Sequence, residues 1–307
     1  MELIQRRRRA AARLAPAAVC LALLAGCASP EPTAQGPHTT RAAAGPSPTG
    51  PGRSDYTYRL PLAVYSYSDA EYEVIESAQQ ILARDCMKGF GLSYRPAKKS
   101  APGATSDRRY GISDMADAAR YGYHLPPQPR DPEPKLGADQ RRVLYGNRDG
   151  SAGKRGKLEF RGKAVPNTGC LGSAVRQLAR PHEYPAGVTA ASNISSGGFS
   201  DSMRDSGVEA LFAHWSACMK ENGYDYASPL EPFRNPAFTD GRVTAEEKAT
   251  AAADMACKRR TNHLESWLKA ETGIQRRMIR NRIAVLRRLK TLHAQKVSAA
   301  RKIIAGA

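Results

Sequence analysis

The feature that most constrains this 307-residue chain is a nine-residue pattern that occurs twice. Positions 86–94 and 218–226 both read C-M-K-x-x-G-[LY]-x-Y, and Pro96 and Pro229 follow soon after. Each copy closes a segment with helical apolar spacing. The pattern therefore reads as a helix with a cysteine in its last turns that stops at a glycine cap, after which the chain leaves in an extended stretch. Ahead of the first copy, Ile75, Ala78, Leu82 and Cys86 fall at i, i+3, i+7 and i+11, which puts Cys86 on the buried face of a helix from Asp69 to about Lys88. Ser68 and Glu71 form its capping box. Ahead of the second copy, Val208, Leu211, Phe212, Trp215, Cys218 and Met219 make an apolar stripe on a helix ending near Glu221.

The first residues define a compartment. Arg6, Arg7, Arg8, Arg9 and Arg13 form a charged leader, and the apolar run from Ala17 to Gly26 is shorter than the ~20 residues a spanning helix needs. The run ends in Leu24-Ala25-Gly26-Cys27, which resembles a bacterial lipobox, so residues 1–26 read as a lipoprotein signal peptide and Cys27 as the lipidation site. Acyl chains such as palmitate on Cys27 would hold the protein at the outer face of the cytoplasmic membrane. Cys20 lies in the discarded segment. Residues 27–54 are rich in Ala, Pro, Gly, Ser and Thr and cannot bury enough apolar area to offset chain entropy, which makes them a disordered tether.

Four cysteines then remain in an oxidising compartment, and they read as two disulfides. Each copy of the pattern is followed by one further cysteine in the next main helix, so the favoured pairing is Cys86 with Cys170 and Cys218 with Cys257; the two other connectivities stay open. A zinc site is disfavoured because no C-x-x-C or nearby His pair is present. No metal or other cofactor is called for.

Between these landmarks, Tyr56 to Tyr67 reads as a short edge strand or extended lead-in, because Pro61 interrupts it. Arg109-Tyr110-Gly111 recurs as Arg120-Tyr121-Gly122, with Ser113 capping a short helix from Asp114 to Tyr121. Capping and turn chemistry is the plain reading, and a Tyr/Arg-lined groove for a sugar or acidic polymer is the sharper one. Lys157 to Val165 reads as a strand or hairpin arm, and Asn167 opens a helix to about Arg180. Ser192 to Gly207 is Ser/Gly-rich and reads as a linker. Tyr224 to Phe238 is expected to be extended and turning. Thr244 and Glu247 form a second capping box, opening a helix with Cys257, Thr261, Leu264 and Leu268 at core spacing. The expected fold is thus mainly α with a few short strands. Two disulfide-stapled helical halves, 55–191 with Cys86 and Cys170 and 208–307 with Cys218 and Cys257, flank a 192–207 linker, and a long basic C-terminal helix closes the chain.

The charge is strongly positive: 47 Lys and Arg against 29 Asp and Glu give +18. Removing a leader with five Arg and one Glu leaves 42 basic and 28 acidic side chains, or +14. No acidic residue follows Glu271. Ile279, Ile283, Leu286, Val297 and Ile304 fall on one helical face, while Arg276, Arg277, Arg280, Arg287 and Arg288 lie off it. Such a face suits anionic lipid or an acidic wall polymer. Nucleic acid is disfavoured by the compartment.

Catalytic patterns are missing. There is no G-x-S-x-G, H-E-x-x-H, EF-hand loop or C-x-x-C-H. The S-x-x-K matches at Ser151–Lys154 and Ser266–Lys269 lack the partners of a penicillin-recognising enzyme. His214 and the other histidines are scattered. The sequence therefore reads as a non-catalytic envelope binding or interaction protein rather than an enzyme, the alternative being a cell-wall hydrolase with an unrecognised site.

Taken together, several motifs resemble a group of uncharacterised secreted lipoproteins of high-G+C Gram-positive bacteria. They are the lipobox, the Pro/Ala-rich tether, the C-M-x-x-[x]-G-[FLY] pattern, Arg109-Tyr-Gly-x-x-Asp114, Gly169-Cys170-Leu-Gly172, W-S-A-C218-M and A-C257-K-R-R-T. The resemblance covers about Leu60 to Leu289. It implies the compartment and the cysteine framework and says nothing of chemistry.

Overall fold

The computed structural model describes residues 56–97, 107–146 and 158–307. The expected signal peptide, Cys27, the tether and the Ser151–Lys154 match lie outside the described residues.

Tyr56–Arg59 is a single helical turn, α1, and Pro61–Tyr65 forms a 3-10 turn. The strand or extended lead-in expected here does not form. Pro61 sits at the first position of the 3-10 turn, where its missing N–H costs nothing and its fixed φ suits helical geometry. Tyr56 and Leu60 anchor the segment in a cluster with Tyr110 and Trp267.

Helix α2 (Asp69–Gly89) opens on the expected capping box: Glu71 N–H donates to Ser68 Oγ at 3.3 Å, and Ser68 N–H donates to the Glu71 carboxylate at 2.8 Å. Its end explains the repeated pattern. Gly91 N–H donates to Lys88 O at 2.9 Å and Leu92 N–H to Met87 O at 3.1 Å. The same pair of bonds ends α7 (Ser206–Glu221), from Gly223 to Lys220 O and from Tyr224 to Met219 O, both at 3.0 Å. Gly91 and Gly223 carry the positive φ, +67° and +85°, that this Schellman geometry requires. The buried methionine meets the apolar residue after the glycine, and the neighbouring cysteine is tied to a later helix, Gly169–Ala179 for the first copy and Ala245–Arg260 for the second. Disulfides join Cys86 to Cys170 and Cys218 to Cys257, with Cα separations of 5.6 and 5.7 Å. Of the four, Cys86 is half-buried and its partner Cys170 fully enclosed.

Asp114, not Ser113, caps α3 (Met115–Tyr121), accepting from Asp117 N–H at 2.8 Å. Helix α4 spans Ala138–Tyr145. Strands β1 (Glu159–Phe160) and β2 (Lys163–Ala164) pair antiparallel across Arg161-Gly162, both at positive φ as a tight hairpin turn demands. Helix α5 (Gly169–Ala179) follows.

The Ser/Gly-rich stretch expected as a linker is helical. Helix α6 (Pro185–Ser202) runs through most of it, and α7 begins at Ser206. Small residues here serve close approach: a Cβ on Gly198 would lie 2.9 Å from Gln275 Cγ on the helix packed against it. A second correction concerns Thr261. Helix α8 (Ala245–Arg260) stops there, Thr261 Oγ1 donating back to Cys257 O at 3.0 Å, and Asn262 takes a left-handed conformation before α9 (His263–Arg280) begins. Leu264 and Leu268 therefore belong to another helix than Cys257. Helix α10 (Ile283–Ala305) is the long C-terminal helix.

Packing joins distant parts of the chain. Ile75 and Ala78 of α2 share a core cluster with Leu178 of α5 and with Val297 and Ala300 of α10. Ile194 of α6 packs with Ile279 and Leu286. Trp215, Met219 and the Cys218–Cys257 bridge form a separate core between α7 and α8.

Candidate functional site: a basic face and an adjoining cleft

Three enclosed carboxylates organise the interior. Glu271 of α9 has no exposed surface and accepts from Arg109 Nε at 2.8 Å, from Arg109 Nη2, from Tyr110 Oη at 2.8 Å and from Gln275 Nε2 at 2.7 Å. Arg109 Nη2 also donates to Ser195 O at 2.8 Å, and Gln275 Oε1 accepts from Leu62 N–H at 3.2 Å. Burial and the Glu271 charge push the Tyr110 hydroxyl far above its ordinary range. Asp254 and Lys258 pair at 3.2 Å with neither side chain exposed; Trp215 Nε1 donates to Asp254 at 2.8 Å and Lys258 Nζ to Ile112 O at 2.9 Å. Burial raises the Asp254 carboxyl and lowers the Lys258 ammonium, and each group opposes the other's shift.

Glu247 does not complete the expected capping box. Its N–H reaches Thr244 Oγ1 at 3.0 Å, but its carboxylate turns inward to Tyr123 N–H at 2.7 Å and lies 2.9 Å from His124 Nδ1. These acids have no exposed surface, and their bonds tie the helices to the segments packed against them.

The outer surface of α9 and α10 is different. Arg276, Arg277, Arg280, Arg287 and Arg288 are all exposed. Among the described residues none of them pairs with a carboxylate, whereas Arg59 holds Glu265 and Arg260 holds Glu221. The five arginines sit on two helices instead of one, because Asn281 and Arg282 interrupt the run. The apolar side is committed to the core: Leu286, Leu289 and Val297 are buried. Ile304, expected on that face, is 38% exposed near the last turn.

Where α10 meets α6, a cleft of about 510 Å³ opens between the 3-10 turn, α6, α9 and α10. Tyr65, Tyr67 and Tyr72 line it, and Tyr67 stacks on His293 of α10 with centroids 4.0 Å apart. Lys296 Nζ lies 5.7 Å from the Tyr67 ring centre, so a basic group borders the aromatic surface, and elsewhere on α10 Arg288 stacks over Tyr184 at 4.6 Å. Burial lifts the Tyr67 hydroxyl to about 12, and burial, aided by Lys296, lowers the His293 imidazole. Sequence reasoning missed this cleft. Its signal was present in the crowding of five of the chain's 13 tyrosines between positions 56 and 72.

His214 is exposed on α7 and Ser266 half-buried on α9. Among the described residues no group of three or more His, Cys, Asp or Glu side chains converges as a metal site would, and no helix is long and apolar enough to cross a membrane. The two disulfides point to an oxidising, extracytoplasmic compartment. Comparison with protein-family models, curated proteins and solved structures finds no match for this chain.

Proposed function

We propose that this protein is a lipid-anchored extracytoplasmic binding protein, non-catalytic, whose α9–α10 surface holds closely spaced anionic groups of the cell envelope. One observation carries the reading: five exposed arginines, without carboxylate partners among the described residues, stand on helices whose opposite sides are locked into the core. A rigid, unneutralised basic face attracts phosphate or carboxylate polymers and anionic headgroups, each basic residue adding ~1 kcal/mol near such a surface. The anchor is the acylated Cys27 of the sequence reading, as in the lipoprotein group that the chain resembles.

The test separates anchor from face. Cys27→Ala should release the protein from the membrane fraction or leave its leader unprocessed; normal processing with full retention removes the anchor. The purified mature protein should bind phosphatidylglycerol vesicles or an acidic wall polymer at low salt and lose them as salt rises, because exposed charges are screened over ~10 Å at about 0.1 M. Joint replacement of Arg276, Arg277, Arg280, Arg287 and Arg288 by Gln should abolish that binding without lowering the melting temperature. Absence of binding at low salt in the native protein ends this reading. Comparing vesicles with polymer identifies which anionic surface is held.

A further inference from the structure

The cleft beside the basic face is built for a ligand of a different character from the face itself. Three tyrosine rings supply flat carbon surface, and two of them are braced: Tyr67 is held on one side by His293 and meets Tyr72 edge-on at 5.3 Å. Tyr72 is 54% exposed, so its ring is available to a ligand entering the cleft. Ser66, Ser192 and Ser195 share the lining.

Arg109 also lines the cleft, and its chemistry decides the ligand class. Its Nε and Nη2 are engaged by Glu271 and Ser195 O, while Nη1 has no hydrogen-bond partner among the described residues. Glu271 offsets the guanidinium charge. The pair keeps an unused guanidinium N–H donor and little net charge, which favours an uncharged oxygen acceptor over a phosphate or carboxylate. An acyl chain would satisfy the ring surfaces but strand that donor out of water. A pyranose satisfies both demands: its C–H face lies on an aromatic ring and its oxygens reach the donor. The volume suits a short oligosaccharide.

We infer that the cleft binds sugar rings of an acidic envelope glycan, with a pyranose face on Tyr72 and an oxygen acceptor on Arg109. Anionic substituents of the same chain then lie outside, along Lys296, Arg288 and the basic face. This inference rests on the envelope-binding reading and names the polymer's chemical class.

Calorimetric titration of the purified mature protein with two neutral probes, N-acetylglucosamine tetrasaccharide and maltotetraose, tests it. At least one should bind with equal affinity at low and high salt. Tyr72→Ala should weaken binding roughly tenfold, the size of one lost aromatic contact. Val188→Trp should block the cleft from its rim, where Val188 is 56% exposed. Both positions are exposed, so melting temperatures should stay at the native value. The quintuple Arg→Gln protein should keep the neutral saccharide while losing the polyanion. Failure of both tetrasaccharides overturns the cleft assignment, as does binding that neither variant alters, or a fatty-acid probe that displaces the sugar. Salt-sensitive polyanion binding surviving such a failure leaves the basic face standing alone.

Discussion

Leu92 donates its backbone N–H to the carbonyl of Met87 at 3.1 Å, a bond that spans the reversal where α2 ends. The left-handed glycine between them makes the reversal possible, and the second copy of the pattern repeats it at Gly223. Gly223→Ala should destabilise the protein by about 1–2 kcal/mol, the cost of placing a Cβ in the left-handed region. A Cβ there would meet nothing within 4 Å, so the loss is one of backbone alone. Gly89→Ala, at a helical position with equally open space, should stabilise by ~0.5–1 kcal/mol. Urea denaturation of the two variants gives the comparison; equal effects would contradict it.

The Glu271 cluster makes a larger demand. Glu271→Gln leaves the Arg109 guanidinium enclosed without its charge partner and should cost about 3–5 kcal/mol. Glu265→Gln breaks an ion pair with Arg59 in which both side chains are about half exposed, and should cost under ~1 kcal/mol. Thermal unfolding of both proteins measures the difference.

Acid should weaken the fold through His263. This imidazole has no exposed surface, neither nitrogen finds a partner among the described residues, and burial, with Lys258 nearby, lowers its pKa to about 3. A depressed folded pKa means the unfolded chain binds the proton first. The stability that neutral His263 contributes is therefore complete above about pH 6.5 and drains away as pH falls toward 3, by roughly 4–5 kcal/mol at most. His263→Leu should flatten that part of the stability curve. An unchanged slope would place the acid sensitivity elsewhere.

Helix α10 separates structure from charge. Leu286→Ala should cost about 2–5 kcal/mol, because Leu286 has no exposed surface and joins Ile194 and Ile279 in one cluster. Arg287→Gln, one residue on, should stay within ~0.5 kcal/mol of the native protein. Chemical denaturation of each variant tests this contrast.

Local rules made much of the framework legible. The Ser68–Glu71 box, the glycine caps at 91 and 223 and both disulfides depend on spacings within one or two elements and appear as expected, and the strand or hairpin arm expected over Lys157 to Val165 forms as a short hairpin. The failures share a cause. Residues 192–202 look like a linker because their helix propensity is poor, yet Gly198 earns its place by letting α6 approach Gln275, which no local rule registers. Glu247 has the spacing of a cap, but a backbone N–H 124 positions away claims its carboxylate. The cleft was illegible for the same reason: its walls come from segments more than 200 positions apart, and only the tyrosine crowding hinted at one of them.

The contact of α10 with α2 also bears on the order in which the molecule can assemble. Ile75 and Ala78 are covered by Val297 and Ala300, so the first long helix has no complete partner until the last residues of the chain arrive. Contacts of such sequence separation slow folding. In an oxidising compartment Cys86, Cys170, Cys218 and Cys257, all earlier in the chain than Val297 and Ala300, can pair before this apolar stripe is sealed. Loss of the final turns would leave a body that is stapled but open along one side.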